Sequence, residues 1–139
     1  MSANLVELVQ NAGIVGAGGA GFPTQVKLNC KVDTVVVNGA ECEPLLRVDQ
    51  QLMALEAVKM LTALQAVMDQ TQAKEGIIGL KKKYTPAIEA LNKELTAFPK
   101  IRMHLLKNFY PAGDEQVLVY ETTGRIVPEA GIPLNVNTL

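Results

Sequence analysis

Val32-Asp33-Thr34-Val35-Val36-Val37-Asn38-Gly39 is a nearly continuous β-branched run that ends on Asn-Gly. A run apolar at successive positions reads as a strand buried on both faces, the pattern of a parallel sheet rather than of a half-exposed antiparallel one. Two later segments repeat it, Gly76 to Leu80 and Ile101 to Leu106. Between the first two strands, Asp49 is placed to cap a long helix from Gln50 to about Gln70. Its main stripe is Met53, Ala57, Met60, Leu61, Leu64, Val67 and Met68, at helical spacing. Leu52, Leu55 and Val58 lie off that stripe, so this helix is either deeply packed or covered by something else. Between the second and third strands, Thr85 is placed to cap a helix with Pro86 at its first position. Tyr84, Ala87, Ile88, Leu91 and Leu95 form its apolar stripe, and Pro99 closes the segment. Strand, helix, strand, helix, strand is the alternation of an α/β domain, predicting a three-layer, Rossmann-like, mostly parallel sheet.

The 139 residues fit one domain, and 48% hydrophobic against 19% charged residues describes a globular chain. Fourteen acids against thirteen bases leave a formal charge of −1, which excludes a general nucleic-acid binder needing a surplus of clustered cations. The one basic run, Lys81-Lys82-Lys83, reads as a solvated strand exit. No stretch of 18 apolar residues is present and the N-terminus lacks a basic segment followed by an apolar signal run, so the expectation is a cytoplasmic protein without direct membrane insertion. Cys30 and Cys42 match no zinc, redox or iron–sulfur spacing, and no metal ligands are assigned. His104, the only histidine, sits inside the third strand and reads as a buried or half-exposed strand residue. Metal hydrolysis, Ser-His-Asp and Cys-His chemistry have no visible constellation.

The candidate chemistry lies in three loops. Leu5, Leu8, Val9 and Ala12 share a face of a short opening helix over Asn4 to Asn11, and five glycines follow within Gly13 to Gly21. Gly16-Ala-Gly18-Gly19-Ala-Gly21 matches G-x-G-x-x-G, a loop whose bare N–H groups can face a phosphate at a helix N-terminus. The preceding segment is helical, whereas a dinucleotide fingerprint follows a strand; a plain turn remains the alternative. Pro23 suits the first turn of a short helix from Phe22 to about Lys27. The second loop, Asn38-Gly39-Ala40-Glu41-Cys42-Glu43-Pro44, lies at the carboxyl end of the first strand, where open α/β sheets bind ligands. Its two carboxylates can accept hydrogen bonds from sugar hydroxyls, or be an ordinary solvated loop. The third, Tyr110-Pro-Ala-Gly113-Asp114-Glu115, follows the third strand and reads as a ligand loop or a capped surface helix. Val117 to Tyr120 has strand propensity, yet Gly113-Asp114-Glu115 looks like a helix start. Pro128, Gly131 and Pro133 keep the tail irregular, and no internal repeat is present.

These three loops together resemble the NADH- and FMN-binding domain of the flavoprotein subunit of respiratory complex I. They are similar above all to its RnfC-like branch, which includes the RnfC subunit of the ion-translocating ferredoxin:NAD oxidoreductase, the cobalamin reductase of propanediol microcompartments and the electron-transfer protein tied to proline reductase. Val48-Asp-Gln-Gln-Leu-Met53 and Thr123-Gly-Arg-Ile-Val-Pro128 add to the likeness, which runs from about Leu5 to Leu134. Gly113-Asp-Glu is closer to the cobalamin-reductase-like members.

The resemblance implies an electron-transfer flavin module that oxidises NADH through FMN and passes electrons to iron–sulfur centres or another acceptor outside this chain. Gly16, Gly18, Gly19 and Gly21 would lie against FMN and the dinucleotide, Phe22 would flank the nucleotide, and Lys27 would offer a cation to phosphate or flavin. Asn38, Glu41 and Glu43 would hold the ribityl chain and ring edge, while Gly113, Asp114 and Glu115 would face flavin and nicotinamide, the two acids as the catalytic pair. The resemblance also makes the segment after Gly113 a helix. Ala17 and Ala40 stand where complex I carries Arg and Asp, and Leu28 and Cys30 where it carries aromatics. The family continues into an Asn-rich flavin-phosphate segment and cysteine motifs for [4Fe–4S] clusters, so residues 1–139 are expected to be a single FMN/NADH-binding domain from a longer flavo-iron–sulfur protein. Expected partners are NADH and the iron–sulfur domain or subunits of a redox complex, in a bacterial microcompartment or peripheral to a membrane complex. Two other classes stay open: a nucleotide-binding regulatory module without redox chemistry, and an interaction domain of a larger redox complex.

Overall fold

The computed structural model describes residues 4–16, 21–41, 43 and 45–139. Three strands, β1 (Thr34–Asn38), β2 (Glu75–Lys81) and β3 (Ile101–Leu106), form a parallel sheet in the order β1-β2-β3. Val35 lies opposite Gly76, and Ile78 opposite Met103. On the outer edge of β1 the C-terminal residues also pair in parallel, Leu139 accepting from the Val36 N–H at 2.7 Å.

The alternation of side chains along each strand separates two layers. Val35, Val37, Ile78, Leu80, Ile101 and Met103 face the main core, built with α4 (Ala57–Thr71) and α5 (Thr85–Glu94). Val36 and Leu106 point to the other face, where they meet Leu118 of α6 (Glu115–Thr123). A Cβ on Gly79 would lie 2.6 Å from Leu118 Cδ1, so the glycine is what lets α6 settle onto the sheet. Helices on both faces of a parallel sheet are the expected three layers. The Val117 to Glu121 segment is helical despite its strand propensity, because Asp114 caps it and the sheet buries Leu118, Val119 and Thr122.

Several expectations need correction. The long helix is two, α3 (Val48–Leu55) and α4, separated at Glu56 with φ −123° and ψ 32°. Periodicity marks apolar positions but not the one-residue departure that lets α3 pack on α5 while α4 also reaches β1 and β2. Asp49 therefore lies in the first turn and not at the cap, which falls on Arg47. The second apolar face is not covered: Leu55 is 81% exposed, and Leu52 and Val58 are more than half exposed. Pro23 is the residue before α2 (Thr24–Leu28), and Tyr84, not Thr85, precedes α5. β1 starts at Thr34, since the Val32 N–H is used by the Thr71 carbonyl closing α4. Lys81 is no solvated exit; it is 6% exposed. Among the described residues no helix is long and apolar enough to cross a membrane.

Below the sheet, Asp33 joins three segments. It pairs with Lys74 at 3.0 Å and with Arg125 at 3.5 Å, and Arg125 also donates to the carbonyls of Val136 and Asn137. The Lys74 hydrogen bond and charge, with Arg125 adding to them, hold the Asp33 carboxyl below its usual range. A lowered carboxyl pKa gives stability that is present above the unfolded value of about 3.9 and is lost as pH falls through the folded one. Asp33→Asn is thus expected to lower the urea midpoint at neutral pH, with the gap to the parent closing in the acid range. A gap that stays constant down to acid pH contradicts this assignment.

Candidate functional site

The carboxyl ends of the three strands and the loops that leave them form the candidate site. Its first tie is Asn38, the last residue of β1. The side-chain amide donates to the Gly113 carbonyl at 2.8 Å, and Oδ1 accepts the Ala40 N–H at 3.1 Å. One amide therefore joins the second and third loops, 75 residues apart in the chain. The third loop continues into α6 through Asp114, whose Oδ1 accepts the N–H groups of Gln116 (3.0 Å) and Val117 (3.1 Å). Glu115 follows in the exposed first turn.

The second tie is Glu41. Lys81 Nζ donates to its backbone carbonyl at 2.8 Å, and the Tyr84 hydroxyl donates to the same oxygen at 3.4 Å. The Glu41 side chain turns inward, and its Oε2 is shielded from solvent with no hydrogen-bond partner among the described residues. Native proteins satisfy nearly all buried polar atoms, and an unpaired one costs about 1–3 kcal/mol. A hydroxyl or N–H donor placed beside this oxygen would satisfy it.

Beside these residues opens a cleft of about 510 Å³, within the ~300–1,000 Å³ of small-molecule sites. Glu43, Arg47, Lys81, Lys83, Tyr84 and Tyr110 line it, so three cations face one carboxylate. That balance favours an anionic ligand with an aromatic or sugar portion. The donors and acceptors present fit FMN: cations for phosphate, carboxylates for ribityl or ring N–H groups, and an opening of sufficient volume.

The glycine loop is described only at its flanks. Gly18 and Gly19 lie outside the described residues. On its flanks, the Gly16 N–H donates to the Phe22 carbonyl at 3.0 Å, Val15 pairs with Pro23, and Gly21 takes a left-handed φ of 67°. Only glycine adopts that conformation without strain. Phe22 and Lys27 are exposed. Among the described residues no hydrogen bond or ion pair links Gly16, Gly21, Phe22 or Lys27 to the strand-end cluster. The structure thus brings together Asn38, Glu41 and Gly113 with its neighbours and sets Glu43 at the cleft, while the described glycine-loop residues share no hydrogen bond or ion pair with them.

Sequence reasoning missed Lys81, Tyr84, Arg47 and Lys83. The available signal was position: basic and aromatic residues directly after a buried strand point to the ligand edge of a parallel sheet. Among the described residues, no group of three or more His, Cys, Asp or Glu side chains is arranged to hold a metal ion.

Comparison with known proteins gives a consistent assignment. Residues 9–139 match the family described as the Nuo51 FMN-binding domain. The chain is 53% identical over 133 residues to the cobalamin reductase PduS of Citrobacter freundii, covering 96% of this chain and 29% of that protein. It is 44% identical over 131 residues to a subunit of the Na(+)-translocating ferredoxin:NAD(+) oxidoreductase complex of Acetobacterium woodii, covering 91% and 30%. The chain spans about 30% of the length of these relatives. In fold it is similar to a chain of an air-oxidised NAD+-reducing [NiFe]-hydrogenase, with a TM-score of 0.70 at 21% identity over 96% of this chain and 27% of that one. With the family match spanning nearly its whole length, this chain belongs to the Nuo51 FMN-binding domain family, whose members include oxidoreductase components of the cobalamin-reductase and RnfC type.

Proposed function

We propose that this chain is the flavin module of an NADH-oxidising electron-transfer protein, working in the cytoplasm, inside a microcompartment or at the periphery of a membrane complex. The observation that carries the reading is the inward-turned Glu41 carboxylate at the carboxyl ends of three parallel strands, whose Oε2 has no donor among the described residues. When bound, FMN supplies hydride acceptance from nicotinamide and single-electron transfer onward. The protein's part is to bind and orient. In this reading Arg47 and Lys83 attract the phosphates, together with the N–H groups of the glycine loop at Gly16, Gly18, Gly19 and Gly21. Phe22 flanks the nucleotide, and Lys27 adds a cation. Glu41 and Glu43 accept from the ribityl chain or ring edge. Asn38 acts by tying the Gly113 loop to the β1 exit, since Gly113 and Ala40 already use much of its amide. Glu115 and Asp114, at the start of α6, orient NADH, with Asp114 partly committed to its capping bonds.

Electrons leave to iron–sulfur centres or another acceptor outside this chain. The exposed face of Leu52, Leu55 and Val58 supports a module that works within a larger redox assembly. The test is an anaerobic titration of the chain with FMN, with FAD as comparator, followed by NADH. Saturable FMN binding and bleaching of the bound flavin by NADH are expected. Binding without bleaching points to a nucleotide module without redox chemistry; no binding overturns the reading.

A further inference from the structure

We propose that Lys81 is a positioning residue, whose buried ammonium fixes the loop after β1 so that the Glu41 carboxylate is held ready for its ligand. Lys81 is the last residue of β2, on the strand face shared with Ile77 and Gly79. A buried ammonium is costly there, and a methionine or leucine would fill the same space more cheaply. An ammonium carries three donors, and among the described residues Lys81 Nζ has one acceptor, the Glu41 carbonyl. The Tyr84 hydroxyl converges on that oxygen from the start of α5. Two side chains from the β2–α5 connection thus hold one backbone carbonyl on a loop 40 residues earlier. That carbonyl belongs to the residue whose side-chain Oε2 is buried without a partner among the described residues. The charged bond fixes the backbone from which the carboxylate is presented, and that bond offsets part of the cost of burying the lysine.

The inference rests on the flavin reading for the identity of the ligand, but the holding of the loop does not. Lys81→Met is therefore made in the 139-residue chain and read in two ways. In the chain without flavin, amide exchange at Ala40, whose N–H bonds Asn38 Oδ1, is expected to rise roughly tenfold or more, the scale of one bond from a charged donor. Exchange at Ile77 and Ile78 stays unchanged, and the melting temperature is not lowered. Titrated with FMN, the variant is expected to bind roughly tenfold or more weakly for the same reason. Lys81→Arg, which keeps a charged donor, recovers most of both, and Tyr84→Phe gives the smaller effect of its longer bond. A lysine with only a structural role would instead lower the melting temperature without selective loosening at Ala40. Unchanged Ala40 exchange in Lys81→Met overturns the proposal, as does parent-like FMN affinity despite a loosened loop. A parent that binds no FMN, while its Ala40 exchange still responds to Lys81→Met, overturns the flavin reading and supports the holding role.

Discussion

Glu115→Gln is expected to slow reduction of bound flavin by NADH by up to about 100-fold, the scale of a misplaced reactant. The fold has little stake in this side chain. Glu115 is exposed in the first turn of α6, and among the described residues it makes no hydrogen bond or ion pair. The cap itself belongs to Asp114, which the substitution leaves in place. Losing a carboxylate from the first turn costs at most about 1 kcal/mol through the helix dipole. Stopped-flow reduction of the FMN-loaded chain separates the two effects, with Glu41→Gln as the companion variant. Glu41→Gln is expected to weaken FMN retention instead, because its change falls on the buried oxygen that lacks a donor. If both variants retain and reduce FMN like the parent, neither carboxylate touches the flavin or the nicotinamide.

Leu61→Ala is expected to cost about 2–5 kcal/mol of stability, the range for emptying a fully buried leucine site. Leu61 has no exposed surface and lies in the first half of α4, the helix that touches β1, β2, α5, α1 (Leu5–Asn11) and α2. Its loss leaves a cavity where the sheet and both helical segments meet, and small domains hold only about 5–15 kcal/mol in total. The urea midpoint should fall by a corresponding fraction, and the slope of the transition should stay near the parent's. A stability within about 0.5 kcal/mol of the parent, the size of a surface change, contradicts the placement of this core.

β1 was legible from its β-branched run, Val32 to Asn38, and β2 and β3 from short apolar segments between helix-period stretches. α6 was not legible from propensity. Val117-Leu118-Val119-Tyr120 favours a strand locally, and the helix is set by the Asp114 cap, by packing of Leu118 against Gly79 and Leu106, and by burial of Val119. The break at Glu56 left no mark in the periodicity, since Met53, Ala57 and Leu61 keep helical spacing across it. Lys81 was misread for a different reason. A lysine in a basic run looks solvated unless its acceptor is known, and that acceptor is a backbone carbonyl with no side-chain signature. The candidate acidic residues could be picked out because unusual loops followed strands. Their ties, Asn38 to Gly113 and Lys81 to Glu41, are tertiary facts that local spacing does not encode.

The central claim is that flavin binds at the strand ends, between the Glu41 and Gly113 loops. Backbone amide shifts of the chain, followed as FMN is added, test it most directly. The largest changes are expected at Asn38 to Glu41, Lys81 to Tyr84 and Gly113 to Glu115, with saturation at one FMN per chain. The opposite edge of the sheet carries its own groove, about 280 Å³, lined by Lys31, Asp33, Thr71 and Asn137. Shifts centred on that groove, or no saturable shift at the strand ends, contradict the account.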